Sequence, residues 1–165
     1  MTRSRRSSSA AFTLLELILV LVIICTILAM AAPSLRGWSH GSQMRDAADQ
    51  FLTIARWARA TATSEAKIHR LNVDTAGGKY WVTVQQGGEF ANAQSTFGRV
   101  YQMPDGIRIE LTDLQNKPVE SVDFFPSGRS ATGRVRISSQ TDGGTLEIEC
   151  PTPVEGYGYA TAQHQ

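Results

Sequence analysis

A continuous apolar stretch near the N-terminus, Phe12 to Ala32, constrains this chain more than any other feature. Of its 21 residues, only Thr13, Glu16 and Thr26 are not apolar. A helix rises about 1.5 Å per residue, so this stretch would extend over roughly 30 Å, the thickness of the hydrocarbon layer of a bilayer. The sequence therefore predicts a transmembrane helix at residues 12–32.

The charges before this stretch predict its orientation. Residues 1–11 contain Arg3, Arg5 and Arg6 and no acidic residue. Basic residues that flank a membrane helix tend to remain on the cytoplasmic side. We therefore expect residues 1–11 to be a cytoplasmic leader and everything after Ala32 to lie on the other side of the membrane.

The next segment, residues 33–66, predicts a second, amphipathic half of the same helix. Pro33 begins it, followed by two glycines within ten residues, so we expect the helix to bend or break there. Further on, apolar residues recur at steps of three and four, as in a helix with one buried face. These residues are Met44, Ala47, Ala48, Phe51, Ile54, Ala55, Ala58 and Ala62.

The remainder of the chain has the composition of a β-domain. Twelve of the fourteen glycines and five of the six prolines follow residue 66. Between them lie short alternating or β-branched runs, at residues 68–73, 79–85, 98–102, 107–112, 119–125, 135–139 and 146–150. The predicted fold class is α+β: a long N-terminal helix, then a small antiparallel sheet or sandwich over residues 67–156 that packs on the helix. Residues 157–165 are predicted to be a flexible tail.

Charge and cysteine content narrow the classes of function. Residues 12–165 contain 13 basic and 15 acidic side chains, which argues against a general nucleic-acid-binding protein. The two cysteines are Cys25, inside the apolar stretch, and Cys150 near the C-terminus. They could not meet if one lies in lipid, so no disulfide framework is expected. We expect Cys150 to be a small buried residue.

Motifs for catalysis, cofactor binding or metal binding are not found. His40, His69 and His164 have no second ligand at a suitable spacing, and we interpret them as solvated surface residues. The sequence therefore predicts a protein that is not an enzyme, with no cofactor and no metal site.

One basic cluster is a candidate contact for DNA or for a protein partner. It consists of Arg129, Arg134 and Arg136, and the last two lie on one face of a predicted strand. Such residues could bind phosphates. The alternative is a solvated strand face or a salt-bridge surface toward a neighbouring subunit.

Two segments resemble known families. The run Phe12-Thr13-Leu14-Leu15-Glu16, with its basic leader and an apolar helix that meets Pro33, resembles the N-terminus of type IV prepilins and type II secretion pseudopilins. The β-rich part, with FFPSGRSATGRVRIS at residues 124–138, is similar to the GspH/FimT group of minor pseudopilins and pilins. Together the two segments extend the resemblance over most of the chain.

The resemblance implies how the N-terminus is processed. A prepilin peptidase would cleave between Ala11 and Phe12, and Phe12 would then be N-methylated. Ala11 stands where the family has glycine, so we expect slower cleavage. A charge at the centre of a membrane helix costs about 2.5–3.5 kcal/mol on insertion scales. The new α-amino group of Phe12 on a neighbouring subunit could neutralise Glu16 and fix the register of assembly.

The resemblance also implies partners, location and function. The partners would be the prepilin peptidase, other pilin-like subunits packed through the N-terminal helix, the bacterial inner membrane and secreted protein. The β-domain would be periplasmic, and the chain would serve as a structural minor pseudopilin of type II secretion. Two alternatives stay open: a minor pilin of a type IV pilus that aids DNA uptake, and a soluble β-domain released by ordinary signal peptidase after Ala31.

Overall fold

The computed structural model describes residues 14–141 and 143–160, except for the side chains of residues 29–41. The described elements are one long helix, a short 3-10 helix at Thr96–Gly98 and nine strands. The long helix is α1 (Leu14–Glu65). The strands are β1 (His69–Asp74), β2 (Lys79–Gln86), β3 (Glu89–Asn92), β4 (Tyr101–Gln102), β5 (Ile107–Thr112), β6 (Ser121–Phe124), β7 (Gly133–Ser139), β8 (Thr145–Cys150) and β9 (Gly158–Tyr159). The chain divides into two compact units between Trp38 and Ser39.

Helix α1 is continuous through Pro33, so the predicted break does not interrupt the helix. A proline removes one hydrogen bond of the helical ladder and crowds the carbonyl four residues before it, but helices can continue past a proline with a bend. The helix ends one residue before the predicted limit, at Glu65. Ala66 follows with a φ of 54°, and the N–H of Lys67 donates to the carbonyl of Ala62 at 3.3 Å. This is a Schellman cap with alanine at the position where glycine is preferred.

The second half of α1 buries the face that its sequence predicts. All eight predicted positions from Met44 to Ala62 are at most 7% exposed, and Leu52 is buried beside them. Phe51 and Ala58 are fully buried at 0% exposure. The amphipathic pattern is thus confirmed, and five of the eight buried positions are alanine.

Two antiparallel sheets make up the β-rich part. The first has the order β3-β2-β1-β6, with β4 also paired to β2, and the second has the order β5-β7-β8-β9. Each of the seven predicted runs contains a strand, and α+β is the observed class. The first sheet contributes Leu71, Val82 and Phe124 to the core, and the second contributes Ile109, Val135 and Ile148.

The predicted flexible tail is wrong for its first residues. Tyr157 is 4% exposed, and its hydroxyl donates to the carbonyl of Ala131 at 3.0 Å. Strand β9 then pairs with β8, and the N–H of Ala160 donates to the carbonyl of Glu147. Burial of the Tyr157 ring offsets the entropy of ordering this segment. Residues 161–165 lie outside the described residues.

Helix α1 also makes polar contacts with both sheets. The hydroxyl of Tyr80, on β2, donates to Gln50 Oε1 at 3.0 Å. The hydroxyl of Tyr159, on β9, donates to Asp49 Oδ1 at 2.7 Å. Two consecutive residues of the helix therefore bond to different sheets.

Candidate assembly surface

The first part of α1 presents a continuous apolar surface from Leu14 to Leu28. The large hydrophobic residues between Leu14 and Leu28 are 45–77% exposed. Even the hydroxyl of Thr26 is bonded inside the helix, to the carbonyls of Val22 at 3.1 Å and Ile23 at 2.7 Å. Contiguous apolar surface on this scale is typical of contact with other proteins or with lipid.

Glu16 is an exposed residue within this surface, between Leu15 and Leu17. The other residues predicted for processing, Ala11 and Phe12, lie outside the described residues. Within the described part of the chain, no helical stretch reaches the length and apolarity required to cross a membrane.

The predicted arginine cluster is only partly assembled by the fold. Arg134 Nη2 lies 3.5 Å from Glu149 Oε2, and Arg136 Nη2 lies 2.9 Å from Glu147 Oε1, so both pair with carboxylates of β8. Arg129 lies in the loop between β6 and β7 rather than on that strand face. Both strand arginines are therefore paired with carboxylates of their own chain, which reduces the positive charge that this strand face offers to a phosphate.

The FFPSG segment forms a tight turn at the end of β6. Phe124 is buried in the core, and the N–H of Gly128 donates to the carbonyl of Phe125 at 2.9 Å. Gly128 has a φ of 76°, a backbone conformation that favours glycine. The motif thus turns the chain from β6 toward β7, which is a structural role.

Arg59 is a residue that the sequence analysis missed. Its Nε donates to the carbonyl of Gly128 at 2.7 Å, and its Nη2 donates to the carbonyl of Val154. It therefore holds the FFPSG turn and the segment between β8 and β9 against α1. Its place next to the buried Ala58 indicates that its side chain begins near the buried face of α1. A helical pattern does not, however, identify the carbonyls to which it donates.

The histidine prediction is wrong at His69. Its side chain is 1% exposed, packed edge-on against Trp57 with ring centroids 6.0 Å apart, and its Nε2 lies 3.7 Å from Glu65 Oε2. The side chains of His40 and His164 are outside the described residues. Among the residues that the structure describes, no group of three or more His, Cys, Asp or Glu side chains could hold a metal ion.

Cys150 is fully buried, as predicted. Its Sγ donates to the carbonyls of Thr152 at 3.2 Å and Glu155 at 3.3 Å. Burial raises the pKa of its thiol, with a smaller opposing effect from Arg59. A buried thiol with a raised pKa is a poor nucleophile.

The sequence of the packed domain also matches a known protein family. Residues 47–149 match the family described as Type II transport protein GspH, a match over more than half of the chain. The chain belongs to the GspH family. The matched range begins on the buried face of α1 and ends in β8, so GspH membership rests on the packed domain and is independent of the N-terminal motif.

Solved structures share this fold. The minor pseudopilin EpsH from the type 2 secretion system of Vibrio cholerae has a TM-score of 0.63 at 8% identity, over 74% of this chain and 99% of that chain. The type IV minor pilin FimU of Pseudomonas aeruginosa has a TM-score of 0.57 at 14% identity, over 75% and 92%. Escherichia coli GspH has a TM-score of 0.55 at 13% identity, over 75% and 93%. The sequence matches no curated protein.

Proposed function

We propose that this chain is a minor pseudopilin, a non-catalytic structural subunit of a type II secretion pseudopilus. GspH membership is the observation that carries the proposal. The two parts of α1 support it, because one part is buried by its own domain and the other exposes an apolar surface from Leu14 to Leu28. A subunit of a helical filament needs both: a folded domain and an uncovered helix that packs against the helices of its neighbours.

The processing steps belong to the same proposal. Prepilin peptidase removes residues 1–11 by cleavage after Ala11, and the new N-terminus at Phe12 is methylated. The domain from Ser39 onward is periplasmic, while residues 12–32 anchor the chain in the inner membrane before assembly. Glu16 supports this scheme because an ionised carboxylate in a membrane-embedded helix is costly, and the α-amino group of a neighbouring Phe12 would form a charge-assisted pair with it.

The deciding experiment substitutes Glu16 in the native host. The Glu16→Ala chain is expected to insert and to be cleaved, yet to be absent from the sheared pseudopilus fraction, and secretion should fall with it. Thr26→Ala is the matched control, since the Thr26 hydroxyl bonds only within the helix, and it should assemble normally. Normal assembly of the Glu16→Ala chain would overturn the role of Glu16.

Mass spectrometry of the native N-terminus tests the processing separately. A methylated Phe12 is the expected result. A mature chain that begins at Ala32 would instead indicate a soluble domain released by signal peptidase, and the proposal would fail.

A type IV minor pilin is the second candidate function, favoured by the likeness to FimU. If it aids DNA uptake, duplex DNA should bind in a salt-dependent way, and the double substitution of Arg134 and Arg136 should abolish binding. We expect no such binding, because Glu149 and Glu147 already neutralise these arginines.

A further inference from the structure

A cleft with rigid walls lies at the junction of the two sheets. It has a volume of about 560 Å³ and is lined on one side by Asn72, Asp74 and Trp81 of the first sheet, and on the other by residues 118–120. Those residues are fixed by backbone hydrogen bonds on both flanks. The N–H of Val119 donates to the carbonyl of Leu111 at 3.1 Å, and the N–H of Val73 donates to the carbonyl of Glu120 at 2.8 Å. The cleft is therefore preformed, which lowers the entropy cost of binding there.

The carboxylates of this cleft differ from those elsewhere on the sheet faces. Asp123, Glu147 and Glu149 each pair with an arginine of the neighbouring strand. By contrast, Asp74 and Glu120 are in none of the ion pairs found among the described residues. Asp74 uses Oδ1 to accept the N–H of Gly77 at 2.9 Å, which leaves Oδ2 for another donor.

The charge of the cleft is negative. Of the nine described residues that line it, Asp74 and Glu120 are acidic and none is basic. Lys79 lies opposite Asp74 in the β1–β2 register, but it does not line the cleft. A positive group that enters would therefore meet two carboxylates without displacing a cation from an ion pair.

Trp81 adds a second feature that favours a cation. Its side chain is half-buried, and Trp81 lines the same cleft as the two acidic residues and Pro118. The face of an indole ring attracts an ammonium or guanidinium group, and the stem of a lysine or arginine also packs well against it. Pro118 and Val119 supply further apolar wall for such a stem.

We propose that this cleft binds a lysine- or arginine-bearing segment of another pilin-like subunit. The inference rests on the proposed function, which supplies a neighbouring subunit. The cleft is close to α1 along the chain: Val73, which lines it, pairs with Tyr80, whose hydroxyl donates to Gln50 Oε1 of the helix at 3.0 Å. The cation docks between Asp74 and Glu120, and the stem of its side chain lies along Trp81.

Site-specific photo-crosslinking in the native host tests this docking with the full chain. A photoreactive residue at Ala76, an exposed residue of the cleft, should crosslink to another pilin-like subunit through a peptide that contains lysine or arginine. The same residue at Asn92, exposed on edge strand β3 and away from the cleft, is the control and should crosslink much less. Photocrosslinking from Leu19, on the exposed part of α1, reports assembly itself.

The outcomes separate the two proposals. Two outcomes would overturn the docking inference and leave the proposed function intact. One is crosslinking from Leu19 but not from Ala76. The other is crosslinking from Ala76 to a secreted protein or to a second copy of this chain. No crosslink from either position would count against the proposed function, and the docking inference would fall with it.

Charge variants test the chemistry of the docking. Glu120→Lys should reduce crosslinking from Ala76 at least about tenfold, a change in affinity that corresponds to about 1.4 kcal/mol. Glu89→Lys makes the same charge change at an exposed residue outside the cleft and should leave the yield unchanged. Trp81→Phe should retain more crosslinking than Trp81→Leu, because phenylalanine keeps a π face. Equal effects of Glu120→Lys and Glu89→Lys would contradict docking at the cleft.

Discussion

The two halves of α1 belong to one continuous helix, but their apolar side chains have opposite environments. Between Leu14 and Leu28 the large apolar side chains are 45–77% exposed, whereas the eight apolar positions of the predicted buried face, from Met44 to Ala62, are at most 7% exposed. The first half uses long aliphatic residues on all sides, and the second places small and aromatic residues on a single face. The comparison teaches that hydrophobicity in this chain has two purposes, since one half stabilises its own domain and the other exposes an apolar surface of the kind that contacts other proteins or lipid.

The largest expected effect comes from truncating one side chain in each half. Phe51→Ala should lower the free energy of unfolding by about 3–5 kcal/mol, because Phe51 is fully buried and also contacts the Tyr80 ring. Leu19→Ala should change it by less than about 0.5 kcal/mol, because the side chain is already exposed. Denaturation of the full chain in detergent micelles measures both. In cells, Leu19→Ala should reduce assembly more than its small loss of stability would explain. Similar losses of unfolding free energy in the two variants would contradict the difference between the two halves.

A smaller effect is expected from the polar contacts of the buried half. Arg59→Met should cost about 2 kcal/mol, since the carbonyls of Gly128 and Val154 lose a charged donor. Arg56→Met, on the exposed side of the same turn, should change stability by less than about 0.5 kcal/mol. Hydrogen exchange should also increase selectively around residues 125–130 in the Arg59 variant. Unchanged exchange there would mean that Arg59 does not hold this turn.

The end of the buried half offers a stabilising change. Ala66→Gly should raise the free energy of unfolding by about 0.5–1 kcal/mol, because Ala66 has a φ of 54° and glycine adopts that conformation without strain. Ala60→Gly, at an exposed position inside the helix, should lower it by about 1 kcal/mol. Thermal unfolding of the two variants is expected to shift in opposite directions. A shift of the same sign would contradict the Schellman cap.

The smallest effect concerns the contact between the buried half and β9. Desolvation and the hydrogen bond to Asp49 raise the pKa of Tyr159 to about 12. The folded state disfavours the ionised phenol, so the contribution of Tyr159 to stability is complete below its usual pKa of about 10 and decreases as the pH rises through about 12. Ultraviolet titration should show one tyrosinate transition near this value that Tyr159→Phe removes. If the transition that Tyr159→Phe removes were instead near the usual value, the contact would be absent in solution.

The buried face of α1 could be predicted because helical spacing alone determines which side chains share a face. In a strand, alternate residues share a face. His69 therefore lies on the same face of β1 as the buried Leu71 and Val73, and this alternation predicts its burial. The predicted surface position was wrong because it followed from the polarity of histidine and not from its place in the strand.

Other features depend on contacts that local sequence does not encode. Arg59 meets carbonyls 69 and 95 residues away, at Gly128 and Val154. Strand β9 has only two residues, and it is ordered by pairing with β8 and by the buried Tyr157. At the candidate site, the sequence identified Arg134 and Arg136 but could not show that β8 would place Glu149 and Glu147 beside them.

The hydrogen bonds of Asp49 to Tyr159 and of Gln50 to Tyr80 have a mechanical consequence. Consecutive residues of a helix point about 100° apart around its axis, because a turn contains 3.6 residues. The two hydrogen bonds leave the helix in different directions and end on different sheets. Rotation of the helix about its axis would stretch both bonds, so they oppose that rotation. A torque on this part of α1 would therefore rotate the domain with it.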